Sequence, residues 1–307
     1  MKELLGTGLA AGTWTGPSPV VNNLYAPASM VSGIYTFTVA GVAPCANATA
    51  TVNMTEIAAP DAGIDANRAV CSNGANVDLF AQLGGDPDGG GTWTSPTNTP
   101  FPTGVYLPGS SAQGTYTYTV VGTFPCANDV STVTIAQTTA PNAGGNGSLT
   151  ICSNAAPASL ITRLTGTPDT GGTWWKPTPP GGTLAGGLYD PTAAGQPAGI
   201  YTSVVAGTGP CSADSATVNV VEIQAPNAGT NGTLTLCSTN APVGLIASLG
   251  GSPSGSGSWL SPTNAPFPGG IFDPALHAVG SYKYIVAGTA PCANDTGFVT
   301  VAVNQAP

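Results

Sequence analysis

Seven cysteines stand at repeating intervals along this 307-residue chain. Cysteine at fixed spacing can bind zinc, act as a nucleophile or form disulfides. Cys71, Cys152 and Cys237 each precede a tryptophan (Trp93, Trp174, Trp259) by twenty-two residues, while Cys45, Cys126, Cys211 and Cys292 each follow a tyrosine (Tyr35, Tyr116, Tyr201, Tyr282) by ten. No Cys-x-x-Cys pair occurs and His277 is the sole histidine, so zinc finds no ligand set and a nucleophilic thiol finds no recurring base. Disulfides in an oxidising compartment are what remains.

Two pairings respect the spacing. Within a repeat, Cys71 joins Cys126, Cys152 joins Cys211 and Cys237 joins Cys292, leaving Cys45 unpaired. Across a junction, Cys45 joins Cys71, Cys126 joins Cys152 and Cys211 joins Cys237, leaving Cys292 over. After Cys126 a final strand of about seven to ten residues carries the chain roughly 25–33 Å away. Disulfide Cα atoms must lie within about 7 Å, so the within-repeat pattern is expected. Each closed loop of about 55–60 residues would contribute on the order of 3–4 kcal/mol.

Other candidate chemistry fails an internal test, because a site carried by a repeat should reappear in each copy. Asp86-x-Asp88-Gly89 faintly resembles a calcium loop, but the third repeat keeps only Asp169 there, the fourth has Ser252 and Ser254, and the first has no acid. Acids do recur after the second cysteine as Asp129, Asp214 and Asp295, with Ala48 in the first copy. Beside a hairpin turn such residues cap backbone amides, and no second recurring acid completes a catalytic pair. His277 has no Cys or Ser partner pattern. No catalytic residue, metal site or cofactor is assigned, and an enzyme is not expected. Asn-x-Ser/Thr triplets at Asn47, Asn53, Asn146 and Asn231 are read as coincidental.

The elements that must position these cysteines repeat with them. Gly-Thr-Trp at Trp14, Trp93 and Trp174 and Gly-Ser-Trp at Trp259 open each copy of a common pattern, and corresponding cysteines from Cys45 onward lie 81, 85 and 81 residues apart. That period is one small domain, so the chain reads as a tandem array: a truncated first repeat over 1–60, then repeats over 61–141, 142–226 and 227–307. Leu5-Gly6 through Trp14 parallels Leu83-Gly84 through Trp93, which places the opening inside a repeat. Met1-Lys2-Glu3-Leu4-Leu5 is too short for a signal peptide, and no apolar run approaches a membrane span.

Gly (43) and Pro (29) make up nearly a quarter of the residues, yet 41% are hydrophobic and fall in short β-branched runs. In the second repeat the spacing predicts strands at 69–71, 77–83, 92–94, 105–107, 115–121 and 130–136, separated by turn-rich segments. The fold class expected is all-β, a tandem array of small antiparallel immunoglobulin-like β-sandwiches forming an extended rod. Trp14, Trp93, Trp174 and Trp259 are the candidate core anchors. Trp175 has no counterpart in other repeats, and strand alternation points it outward as a candidate surface contact. Five basic residues against fourteen acidic give a net charge of -9, which repels nucleic acid and anionic membranes. Stiff joints are expected at Ala59-Pro60-Asp61-Ala62-Gly63, Ala140-Pro141-Asn142-Ala143-Gly144 and Ala225-Pro226-Asn227-Ala228-Gly229.

Gly-Thr-Trp, then Tyr189-Asp190-Pro191 or Phe272-Asp273-Pro274, Gly-x-Tyr-x-Tyr/Phe-x-Val, Pro-Cys and Ala-Pro-Asn-Ala-Gly together resemble tandem modules of very large Bacteroidota cell-surface proteins. These include gliding-motility adhesins exported by the type IX pathway. The Gly-x-Tyr strand is also similar to later strands of immunoglobulin-like and polycystin-type modules. Antibody domains place the tyrosine two residues before the second cysteine instead of ten, so their inter-sheet disulfide is not carried over. The resemblance implies O-glycosylation at Asp214-Ser215-Ala216, on Ser215. It implies a secreted, non-enzymatic stalk segment of a bacterial surface adhesin or extracellular fibre. Its partners would be neighbouring repeats of the same or identical chains, with surface glycans as another class. Self-assembling filaments and multivalent carbohydrate-binding arrays are the alternatives.

Overall fold

The computed structural model describes residues 11–27 and 29–306. The expected alignment of Leu5-Gly6 with Leu83-Gly84 lies outside the described residues. The chain divides into two compact units, Met1–Gln137 and Thr138–Pro307. Its regular elements are β-strands joined by turns, with short 3-10 segments of three or four residues between some of them.

The second repeat shows how the sequence builds the sheet. Along Gly114–Val120, Tyr116, Tyr118 and Val120 point inward and are buried, while the intervening threonines face outward. A period of two with aromatic and β-branched residues is what a half-buried strand requires. Ala66–Cys71, Asp129–Thr138, Gly114–Val120 and Thr92–Thr94 form a four-stranded sheet in that order, and Val77–Asp78 pairs with Val105–Tyr106 in a small second sheet. The fourth repeat has the same arrangement. The third adds Thr183–Leu184 at the edge beside Thr173–Trp175. The first repeat has three antiparallel strands among the described residues: Thr13–Thr15, Gly33–Val39 and Ala48–Met54.

The sheets are antiparallel except at one place that matters for the cysteines. Gly147–Cys152 lies parallel to Asp214–Ile223, from Gly147 opposite Val218 to Cys152 opposite Ile223. Gly232–Cys237 lies parallel to Asp295–Asn304 in the same register. The first strand of a repeat therefore ends where the last strand ends.

The strand expected over 77–83 is shorter. The Asp78 carboxylate accepts from the Phe80 N–H at 3.0 Å, and the chain turns through a 3-10 segment at Phe80–Gln82. Leu79 is thereby fully buried, as are Leu160 and Leu245 in the matching turns.

Separate cores form around 62–135, 143–220 and 228–301. Trp93, Trp174 and Trp259 are buried in them, whereas Trp14 is half-buried. Trp93 stands opposite Tyr118, its ring centroid 5.0 Å away, and Trp259 stands opposite Tyr284 at 4.8 Å. The Tyr118 and Tyr284 positions are two residues beyond Tyr116 and Tyr282, where an antibody domain would carry its second cysteine. In this chain those positions hold tyrosines that pair with the tryptophan of the neighbouring strand in the same sheet. In the third repeat Ser203 stands opposite Trp174 instead.

All four repeats carry a tyrosine corner. Tyr35, Tyr116, Tyr201 and Tyr282 donate their hydroxyls to the carbonyls of Val31, Ala112, Pro197 and Ala278, at 2.6, 2.7, 2.9 and 2.8 Å, each four residues upstream. Each ring also meets a second aromatic edge-on: Tyr25, Tyr106, Tyr189 or Phe272.

Candidate functional site

The chemistry of this chain sits at its cysteines. Cys152 ends the strand Gly147–Cys152 beside Ile223, the last residue of its repeat's final strand. Cys292 lies in the turn between Gly280–Val286 and Asp295–Asn304. That turn is at the entry end of the fourth repeat, because Asp295 accepts a hydrogen bond at 2.7 Å from Ala228 N–H in the entry motif. The exit of one repeat and the entry of the next thus present one cysteine each. Cys152 and Cys292 are joined, with Cα atoms 5.0 Å apart and 140 residues between them in sequence. Closing a loop of that length contributes about 5 kcal/mol in the chain-entropy account.

This overturns the expected within-repeat pairs Cys152–Cys211 and Cys237–Cys292, since Cys152 holds Cys292. It equally overturns Cys71–Cys126, since Cys126 is a free thiol. The across-junction pairing fails too, because Cys45, Cys126 and Cys237 are all free. Cys45 and Cys237 are exposed and Cys126 is partly buried, while Cys71 and Cys211 are disulfide-bonded. The physical reason is the parallel strand pair. Asp214, just past the hairpin, and Ile223, opposite Cys152, are separated by a strand of roughly 30 Å at about 3.3 Å per residue. The two cysteines of one repeat lie at opposite ends of it.

The hairpin cysteines share one setting. The Sγ of Cys292 lies 3.3 Å from the Ile223 carbonyl oxygen, that of Cys211 lies 3.5 Å from the Thr138 carbonyl oxygen, and the Cys126 thiol donates to the Ile57 carbonyl at 3.6 Å. Each of these carbonyls lies at or just beyond the end of the preceding repeat's last strand. The turn itself is rigidly specified. Cys126 N–H donates to Thr123 O, and the Asn128 side chain accepts from Gly122 N–H at 3.0 Å. A Cβ on Gly122 would come within 2.3 Å of the Ala127 carbonyl, so only glycine fits.

The recurring acids hold the entry end together. Asp129, Asp214 and Asp295 accept from the buried amides of Ala62, Ala143 and Ala228 at 2.7, 2.8 and 2.7 Å. They do cap amides: Asp214 and Asp295 accept from the adjacent Ser215 and Thr296 N–H groups at 2.9 and 2.8 Å, and all three acids also reach the joint motif about seventy residues upstream. A second clasp escaped the sequence reading. Asp65, Asn146 and Asn231 accept from the N–H groups of Thr132, Thr217 and Phe298 at 2.7, 2.8 and 2.9 Å, fastening the start of each first strand to the last. Its signal was present: two of the Asn-x-Ser/Thr asparagines recur at one register position, where the second repeat has an aspartate.

Asp88, from the calcium-like stretch, accepts from Asp61 N–H at 3.0 Å and so belongs to the same joint. His277 Nδ1 accepts from Asp273 N–H at 2.9 Å and closes a turn, the task of Ser111 Oγ and Gln196 Oε1 elsewhere. Trp175 is 47% exposed, on the outer face opposite Thr202 and Thr183. Ser215 is exposed near the start of Asp214–Ile223. Among the described residues no three His, Cys, Asp or Glu side chains converge as metal ligands. No helix among them is long and apolar enough to cross a membrane.

The titration shifts follow burial. Burial raises the Tyr201 hydroxyl to about 12, helped by the Glu222 carboxylate. Tyr189 is raised further by burial and by its 2.9 Å hydrogen bond to Glu222.

No family model matches the chain, and no curated protein matches it. Solved structures similar to it are tandem immunoglobulin arrays. A three-domain segment of titin, I67–I69, is 11% identical, with 89% of this chain and 94% of that one covered and a TM-score of 0.39. Domains 1–4 of Sidekick-1 are 12% identical over 95% and 90%, with a TM-score of 0.31. The insect immune protein hemolin is 14% identical over 89% and 82%, with a TM-score of 0.34.

Proposed function

We propose that this chain is a non-enzymatic structural segment of an extracellular stalk, part of a secreted bacterial surface adhesin or fibre, in which a disulfide ties the third repeat to the fourth. The observation that carries this reading is the Cys152–Cys292 bond. It spans a junction and leaves the core of each repeat to its tryptophan and tyrosine corner. Force along the chain would pass through the bond between residues 152 and 292, so the 140-residue loop that it closes reaches its full extension only once it is reduced. Disulfides also place the chain in an oxidising compartment. The joint clasps by Asp214 and Asp295 favour the same role, because they stiffen the entry of each repeat.

Single-molecule stretching tests this directly. Reduction should add roughly 500 Å of extensible length, from about 3.3–3.6 Å per residue over the protected loop. Equal contour lengths with and without reductant would refute load bypass and the stalk reading built on it.

A carbohydrate-binding array would need an exposed aromatic on every repeat to gain from multivalency. The positions matching Trp175 hold Thr15, Thr94 and Leu260, which favours the structural role.

A further inference from the structure

Both halves of the junction between the third and fourth repeats occur a second time on this molecule, at sites that hold free, exposed thiols. The exit half consists of Cys152 with its surroundings: Ser153 N–H donates to Ile223 O at 2.9 Å, Ala225 N–H donates to Ser153 Oγ at 2.9 Å, and Ala155 N–H donates to Cys152 O at 3.0 Å. The end of the fourth repeat reproduces it. Ser238 N–H donates to Asn304 O at 2.9 Å, Ala306 N–H to Ser238 Oγ at 3.0 Å, and Asn240 N–H to Cys237 O at 3.0 Å. Cys237 there is exposed and free.

The entry half is the hairpin turn of Cys292, closed by Cys292 N–H to Thr289 O at 2.9 Å and Gly288 N–H to Asn294 Oδ1 at 3.0 Å. The first repeat reproduces that. Cys45 N–H donates to Val42 O at 2.8 Å and Gly41 N–H to Asn47 Oδ1 at 3.0 Å. Cys45 is exposed and free, and Val42 beside it is 84% exposed. Cys126, the other free hairpin thiol, is already seated on the Ile57 carbonyl and is partly buried.

We propose that a second copy of this chain presents its first-repeat hairpin to the exit of the fourth repeat, and that Cys237 of one copy forms a disulfide with Cys45 of the next. The interface would continue the one already formed between the third and fourth repeats, with the backbone bonds around Cys237 and the turn bonds around Cys45 matching those at Cys152 and Cys292. It joins two different surfaces, so each added copy brings one of each surface for a further copy to join. The bond forms by exchange with a small-molecule disulfide. The Cys237 thiolate attacks that disulfide and releases one thiol, and the Cys45 thiolate then attacks the mixed disulfide at Cys237 Sγ and releases the second. Two protein thiols thus lose two electrons and two protons, and the oxidant becomes two thiols.

The test is incubation of the whole chain with oxidised glutathione over a concentration series, read by non-reducing electrophoresis and peptide mass spectrometry. A ladder of dimers, trimers and longer species carrying a Cys45–Cys237 peptide is expected. Cys45→Ser and Cys237→Ser should each remain monomeric alone, and an equal mixture of the two should stop at the dimer. Links through Cys45–Cys45, Cys237–Cys237 or Cys126, a ladder that survives in either single variant, or monomer at every concentration would overturn the proposal. The Cys152–Cys292 peptide is read in the same spectra, so failure of polymerisation is distinguished from failure of the stapled-repeat reading.

Discussion

At the scale of single residues, a buried tryptophan anchors each of the second, third and fourth cores. Trp259 is 7% exposed and stacks on Tyr284, so Trp259→Ala should destabilise the fourth repeat by about 3–5 kcal/mol in urea denaturation. Trp175→Ala, at an exposed site, should stay within about 0.5 kcal/mol. The same burial sets an alkaline limit. Tyr201 ionises near 10 when unfolded but is raised to about 12 in the fold, so the native state holds its proton more tightly. The contribution of this tyrosine should therefore be constant below pH 10 and be lost as pH rises from about 10 through 12. Tyrosinate absorbance and urea midpoints measured together check this, and Tyr201→Phe should make the decline shallower.

At the scale of elements, the Asp129, Asp214 and Asp295 clasps join the last strand to the entry motif. Asp214→Ala would leave the buried Ala143 amide without its acceptor, at a cost of about 1–3 kcal/mol, and should speed hydrogen exchange at that amide. Asp214→Asn keeps an acceptor oxygen and should lose less; equal losses would show that charge and not the hydrogen bond matters. Much of this scale was legible in the sequence, because period-two strands such as Gly114–Val120 and turn glycines such as Gly122 are local decisions. The Trp-to-Cys and Tyr-to-Cys intervals likewise marked the repeat and its cysteines. What the sequence hid was non-local. Nothing in Gly147–Cys152 distinguishes a strand that will pair parallel with Asp214–Ile223 from one that will pair antiparallel. That choice sends Cys152 to one end of its repeat and Cys211 to the other. The Asp65, Asn146 and Asn231 positions do recur in the sequence, but the amides they bind lie about seventy residues away and nothing local points to them.

At the scale of the whole molecule, the account rests on cysteines that tie repeats to each other instead of closing them on themselves. A disulfide within each repeat would stabilise that repeat alone. One across the junction makes the third and fourth repeats mechanically dependent, and it turns a modest core per repeat into a cooperative pair. The measurement that tests this most directly is non-reducing peptide mapping with a protease other than trypsin, since five basic residues leave few sites for it. In chain not treated with oxidised glutathione, peptides linking Cys152 to Cys292, with Cys45, Cys126 and Cys237 recovered as thiols, are the result this account requires. Peptides linking Cys152 to Cys211 would contradict it.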